Sequence, residues 1–253
     1  MSYLAARNLT QSSRQRHDSA WHRQNFRGAT VDLVAGPAVV AGIVSGSVLD
    51  GSGFGVSVAA VGGALVGRID DHRGRRAQER FDKGLRGHLL ALRSGRVSSG
   101  VIKIAGLLGV GALTAVVDGR RTRSDILLDA ACVAGTANVV NLLDLRPGRA
   151  AKAVAGMAGI ARCFGAPTSA LLGAAIATLP IELTERSMLG DAGANAMGAA
   201  LGRSLVRGSP RFVRFALLGG ITGLTLASER VSFSAVIDRH PVLRGIDQLG
   251  RRR

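Results

Sequence analysis

VIKIAGLLGVGALTAVV, Val101–Val117, holds one charge, Lys103, in seventeen residues, and no polar position recurs at a helical period. A soluble bundle helix needs a polar stripe on its solvent face. This stretch has none, so it reads as a helix surrounded by apolar matter, either lipid or other helices. Similar runs recur along the chain: Val31–Leu49, Gly53–Ile69, Ile126–Leu143, Ala151–Phe164, Thr168–Ile181, Ala192–Val206 and Phe212–Ala227. A bilayer crossing takes about 20 residues, with about 17 as a lower limit. Several runs are shorter, so they must extend into flanking polar residues or tilt little.

Composition agrees. Of 253 residues, 47% are apolar but only 4% aromatic, and 35 are Gly. Small residues of this kind suit close helix contacts in membrane bundles. The mean hydropathy of +0.24 is modest because long polar loops dilute it. The fold expected is all-α: a polytopic transmembrane bundle of about eight spans, residues 31–228, with both termini cytoplasmic. It is flanked by a polar basic segment at 1–30, partly disordered, and a basic cytoplasmic tail at 229–253. The two cysteines, Cys132 and Cys163, have no metal-ligand spacing and indicate no disulfide framework. No secretory signal opens the chain.

The net charge is +16. With eight spans and the N-terminus inside, 24 of the 33 Lys and Arg fall on the cytoplasmic side, as the positive-inside rule requires. The loop DGRRTRS at Asp118–Ser124, with three Arg, dissents. The basic residues are spread over loops and are not gathered with stacking aromatics, so no nucleic-acid partner is expected.

The same topology sends the carboxylates at span ends to one face. Asp70 and Asp71 close the second run in GRIDDHRGR, Asp144 closes the fourth in NVVNLLDLRPG, and Asp191 opens the seventh in MLGDAGANAMG. Singly, each has an ordinary explanation: a solvated loop start, or a first-turn acid favoured by the helix dipole. Gathered beside a basic loop, they suit a divalent cation that takes one or two carboxylates and completes its shell with phosphates and water. Asn138, Asn141 and Asp144, three apart, share a helix flank. Lys83 and Arg86 are candidate phosphate contacts by charge and location.

The order GRIDD, NVVNLLDLRPGRA, MLGDAGANAMGAALG resembles the polyprenyl-phosphate sugar-1-phosphate transferases, with weaker likeness at NFRG (Asn25–Gly28) and SFSAVIDRHP (Ser232–Pro241). The resemblance implies a bacterial inner-membrane enzyme of cell-envelope polysaccharide synthesis. It would carry sugar-1-phosphate from a UDP-sugar to polyprenyl phosphate with Mg²⁺ and release UMP. It implies Asp191 as metal ligand, Asp70, Asp71 and Asp144 as catalytic, and Asn138, Asn141, Lys83, Arg86 and His240 as substrate-binding. A homodimer is one assembly open to such a bundle. The family pattern is altered here: Pro147 stands where its middle motif has a second Asp, Ala194 replaces a Ser, and its His cluster is reduced to His240. A non-catalytic relative that binds polyprenyl phosphate or envelope-assembly partners is the alternative, and an unrelated transporter or scaffold is a third reading.

Overall fold

The computed structural model describes residues 21–25, 27–50, 53–73, 93–95, 98–120 and 122–251. It is all-helical in character, 76% helix. Two short strands, β1 (His22–Gln24) and β2 (Thr30–Asp32), precede α1 (Ala35–Leu49), α2 (Phe54–Arg73), α3 (Ser99–Val117) and α4 (Arg123–Leu143). They are followed by α5 (Arg149–Cys163), α6 (Ser169–Leu183), α7 (Gly190–Val206) and α8 (Arg211–Ser228). Two short helices, α9 (Phe233–Arg239) and α10 (Pro241–Gln248), complete the chain.

Helices α1–α8 coincide with the eight apolar runs. Their capacity to cross a bilayer differs. Among the described residues, only α3 and α4 are long and apolar enough by themselves, and α8 joins them if it counts with α9 as one span bent by 91°. Helices α1 and α6 are apolar but shorter. At 1.5 Å per residue, the 15 residues of α5 reach about 22 Å, short of a hydrocarbon core of about 30 Å.

Helix α7 explains why apolarity is unevenly shared. From Gly193 to Ser204 all its residues are buried, and it packs most extensively against α2 and α4. Its environment is protein, so it needs small side chains more than greasy ones. A Cβ on Gly63 of α2 would lie 2.6 Å from the Asn195 carbonyl, and one on Gly67 would overlap the Asp191 carbonyl. A Cβ on Gly202 would lie 2.9 Å from the Cα of Val133 on α4. These approaches run antiparallel: Gly55 of α2 faces Arg203, while Gly67 faces Asp191. In α1 and α6 the same order holds, with Gly42 against Ala174 and Gly46 against Ala170. Apolar residues left outward include Leu113 and Val116 on α3, Ile160 on α5, Ile176 on α6, and Phe212, Phe215 and Leu224 on α8. So much apolar surface on one chain marks contact with lipid or partners.

Residues 21–25 and 27–32 form a hairpin; the rest of the basic N-terminal segment lies outside the described residues. Strand β1 pairs antiparallel with β2, His22 opposite Asp32 and Gln24 opposite Thr30. Asn25 organises the turn, its Oδ1 accepting from the Arg27 and Ala29 amides at 2.9 Å each, with Gly28 at φ 77°. Asx turns of this kind hold a tight reversal without a helical period. The hairpin is fastened to the bundle by Met188 N–H donating to the Asp32 carbonyl at 2.9 Å.

In the dissenting DGRRTRS loop Asp118 and Arg120 are paired, and Arg121 lies outside the described residues. Arg120 donates to Asp129 at 2.8 Å and to the Val206 carbonyl at 3.1 Å. Asp118 receives Arg203 at 2.6 Å, and Arg214 joins Asp129 and Asp125 at 2.7 and 2.8 Å. Arg120, half-buried between α3 and α4, is thus paired to the helix packing.

Candidate functional site

Helix α7 begins at Gly190, whose φ of 60° turns the chain so that Asp191 occupies the first turn. A carboxylate there is favoured by the unpaired amides and the helix dipole. Asn195, one turn on and fully buried, donates through Nδ2 to the Asp191 carbonyl at 2.6 Å and to Asn141 Oδ1 of α4 at 3.4 Å. Its own Oδ1 is buried without a partner.

Asp70 and Asp71 are consecutive in α2, so their side chains leave the helix about 100° apart. They do different things. Asp71, 2% exposed, points at the α7 start, where its Oδ2 accepts from the Ala192 amide at 3.3 Å. Its Oδ1 lies 2.9 Å from Arg23 of the hairpin. Asp70 points to α3, with its Oδ2 3.0 Å from the Lys103 ammonium. The same ammonium is 3.5 Å from Asp191 Oδ1. One cation therefore bridges acids from two helices.

Asp144 follows the last residue of α4 as its C-cap. Burial, with the charges of Glu182, Asp191 and Asp71 adding to it, pushes its carboxyl well above the usual range. Asp71 is raised by the same causes, burial first and Asp191 second, against the opposing Arg23. Glu182, just beyond the apolar run of α6, is 1% exposed; its Oε1 accepts from the Leu189 amide at 3.1 Å while Oε2 has no partner. Burial lifts it to about 7.

Beside this cluster a cavity of about 490 Å³ opens between α3, α4 and α8. Asp70, Lys103 and Asn138 form a polar end, and Leu107, Leu108, Leu218 and Ile221 line an apolar wall. The shape is that of a site for an amphiphile.

Asp70, Asp71, Asp144, Asp191, Asn138 and Asn141 thus meet at one end of the bundle. His240 does not join them. It stands exposed between α9 and α10, on a segment held by different residues. Lys83 and Arg86 lie outside the described residues. Three members escaped the sequence reading of the site. Lys103 is the lone charge of an apolar run, a position that usually has a partner and a purpose. Asn195 lies four residues after Asp191, the spacing that puts side chains on one helix face. Glu182 ends the apolar run in LPIELTER and has no comparable signal.

Among the described residues, no group of three or more His, Cys, Asp or Glu is arranged to hold a metal ion. An all-protein cage does not fit. The pair Asp70 and Asp191, already converging on one positive charge, fits the smaller demand of Mg²⁺ for one or two carboxylates plus substrate oxygens.

Comparison with protein-family models, with curated proteins and with solved structures gives no match to this chain.

Proposed function

We propose that this chain is a multi-pass membrane transferase that moves sugar-1-phosphate from a UDP-sugar to polyprenyl phosphate, with release of UMP. One observation carries the reading: Lys103 stands between Asp70 and Asp191 where Asp70 and Lys103 line an apolar cavity, with Asp71 and Asp144 close enough to Asp191 to feel its charge. The cavity would take the first prenyl units, and Lys103, released from its acids, would receive the lipid phosphate. An oxygen of that phosphate attacks the β-phosphorus of the UDP-sugar. The bond to the bridging oxygen breaks, and its electron pair leaves with UMP.

Phosphoryl transfer depends mainly on positioning and charge. Asp191 and Asp70 would hold Mg²⁺, which supplies neutralisation of the pyrophosphate. Asp71 fixes the α7 start through the Ala192 amide, and Asn195 links that turn to Asn141 of α4. Asn138 and Asn141 are suited to order the nucleotide, with Lys83 and Arg86 as further phosphate contacts. The multi-pass arrangement is supported by the apolar runs and by the two or three helices able to cross a bilayer.

The test is release of UMP by the purified full chain in nanodiscs containing undecaprenyl phosphate, with a panel of UDP-sugars and Mg²⁺. Release that requires Mg²⁺ and disappears in Asp191→Asn supports the reading; turnover unchanged in that variant removes Asp191 from the mechanism.

A second reading is a non-catalytic relative that binds polyprenyl phosphate. It is favoured by Lys103, which stands between Asp70 and Asp191 where an activating cation would be needed. Saturable lipid binding with no UMP from any sugar of the panel would decide for it.

A further inference from the structure

The C-terminal segment carries chemistry that the transferase reading does not use. At Glu229–Ser232 the chain leaves α8 and turns by 91° into α9, then continues as α10. Two of its acids, Asp238 and Asp247, are paired to arginines around the start of α5, and Asp247 is buried. Arg146, just before α5, holds Asp238 through both Nη atoms at 3.2 and 2.9 Å. Arg149 clamps the buried Asp247 at 2.8 and 3.1 Å, and Arg251 adds a contact at 2.7 Å. Lys152 caps the end of α10, donating to the Ile246, Asp247 and Leu249 carbonyls at 3.0, 2.9 and 2.6 Å.

This clamp sets the rotation of α10. With Asp247 turned to the bundle, Val242, Ile246 and Leu249 are left 63%, 54% and 71% exposed. Val242 and Ile246 are four apart and share a face. Arg230, Arg239 and Arg244 are exposed along the same segment. From Phe233 onward the outward surface is therefore apolar and flanked by arginine, because Asp238 is paired with Arg146 and Asp247 with Arg149, while Glu229 stays exposed at the turn. It continues from the exposed apolar residues Leu224, Leu226 and Val231 at the end of α8.

We infer that α9 and α10 form an in-plane surface helix pair: Val242, Ile246 and Leu249 enter the headgroup boundary, and the arginines engage anionic lipid. An apolar stripe flanked by Arg is the pattern of helices that lie in this interface. The 91° turn after α8 sets α9 across the direction of that helix, the orientation an in-plane segment takes where α8 meets the membrane surface. The inference rests on the bilayer reading of the bundle and is independent of any transferase chemistry.

The test uses the full chain in nanodiscs with brominated lipid, each variant carrying a single tryptophan in a Trp21→Phe background. Ile246→Trp probes the stripe, Gln248→Trp the side away from it, and Leu113→Trp on α3 reports embedding of the bundle. All three sites are exposed, so the substitutions are tolerated sterically. Quenching at 246 should exceed that at 248 by roughly twofold or more, and should fall when anionic lipid is replaced by phosphatidylcholine. Equal quenching at 246 and 248, or none at 246, overturns the inference even when the 113 probe is quenched. A probe at 246 shielded from iodide but untouched by brominated lipid identifies a protein partner or second copy, and also overturns it. Failure at 113 alone tells against embedding of the bundle.

Discussion

Lys103→Met tests the central arrangement most directly. The ammonium is the positive charge between Asp70 and Asp191, with side chains 11%, 18% and 22% exposed respectively. Removing one member of a buried ion pair costs about 3–5 kcal/mol, chiefly because the remaining charge is left uncompensated. Here both acids keep some access to water, which lowers the expected cost to about 2 kcal/mol. For a chain of this length that corresponds to a fall of about 4–8 °C in Tm. Far-UV circular dichroism in detergent would measure it, with Lys103→Arg, which keeps the charge, remaining close to wild type. The vacated pair should then accept Mg²⁺: at ten times Kd the ion returns about 1.4 kcal/mol to the variant, more than it adds to wild type. A Lys103→Met midpoint within about 1 °C of wild type refutes the bridging role. A normal loss with no recovery in Mg²⁺ refutes the two-carboxylate cation site.

At the opposite end of the bundle, Asp118→Asn removes the carboxylate charge facing Arg203, whose side chain is 1% exposed, and should destabilise by about 3 kcal/mol in the same melting assay. Glu182→Gln should alter the pH profile of stability. Burial raises this carboxyl from 4.5 to about 7, so its contribution is full below pH 4.5 and is lost as pH rises through about 7. The amide removes that loss, and Glu182→Gln should be more stable than wild type by about 3 kcal/mol at pH 8, with little difference at pH 4; parallel curves would show that folding does not shift the Glu182 carboxyl and refute its raised value.

The eight apolar runs became eight helices with ends displaced by only a few residues, because long uniform runs leave little choice of element. Their alternation also made the meeting of Asp70, Asp71, Asp144 and Asp191 legible: successive helices reverse direction, so the ends of even runs and the starts of odd ones share a face. Membrane-crossing capacity was less legible. A run such as Ala192–Val206 has the same small-residue character whether lipid or protein surrounds it, and α7 is enclosed by its neighbours.

Side-chain direction was beyond the sequence. Adjacent acids in GRIDD look equivalent as text, yet Asp70 meets Lys103 and Asp71 meets the Ala192 amide and Arg23. Arg120 reads as loop charge and is paired inside the fold. The C-terminal segment reads as a basic tail and is instead clamped through Arg149 to Asp247, partners 98 positions apart. Such pairings depend on where the helices come to rest, and nothing local encodes them. By itself the sequence determined the helices, their alternation and the end of the bundle at which the acids collect. Only the tertiary structure decided which charges neutralise one another, because that is set by distances of a few ångströms between residues far apart in the chain.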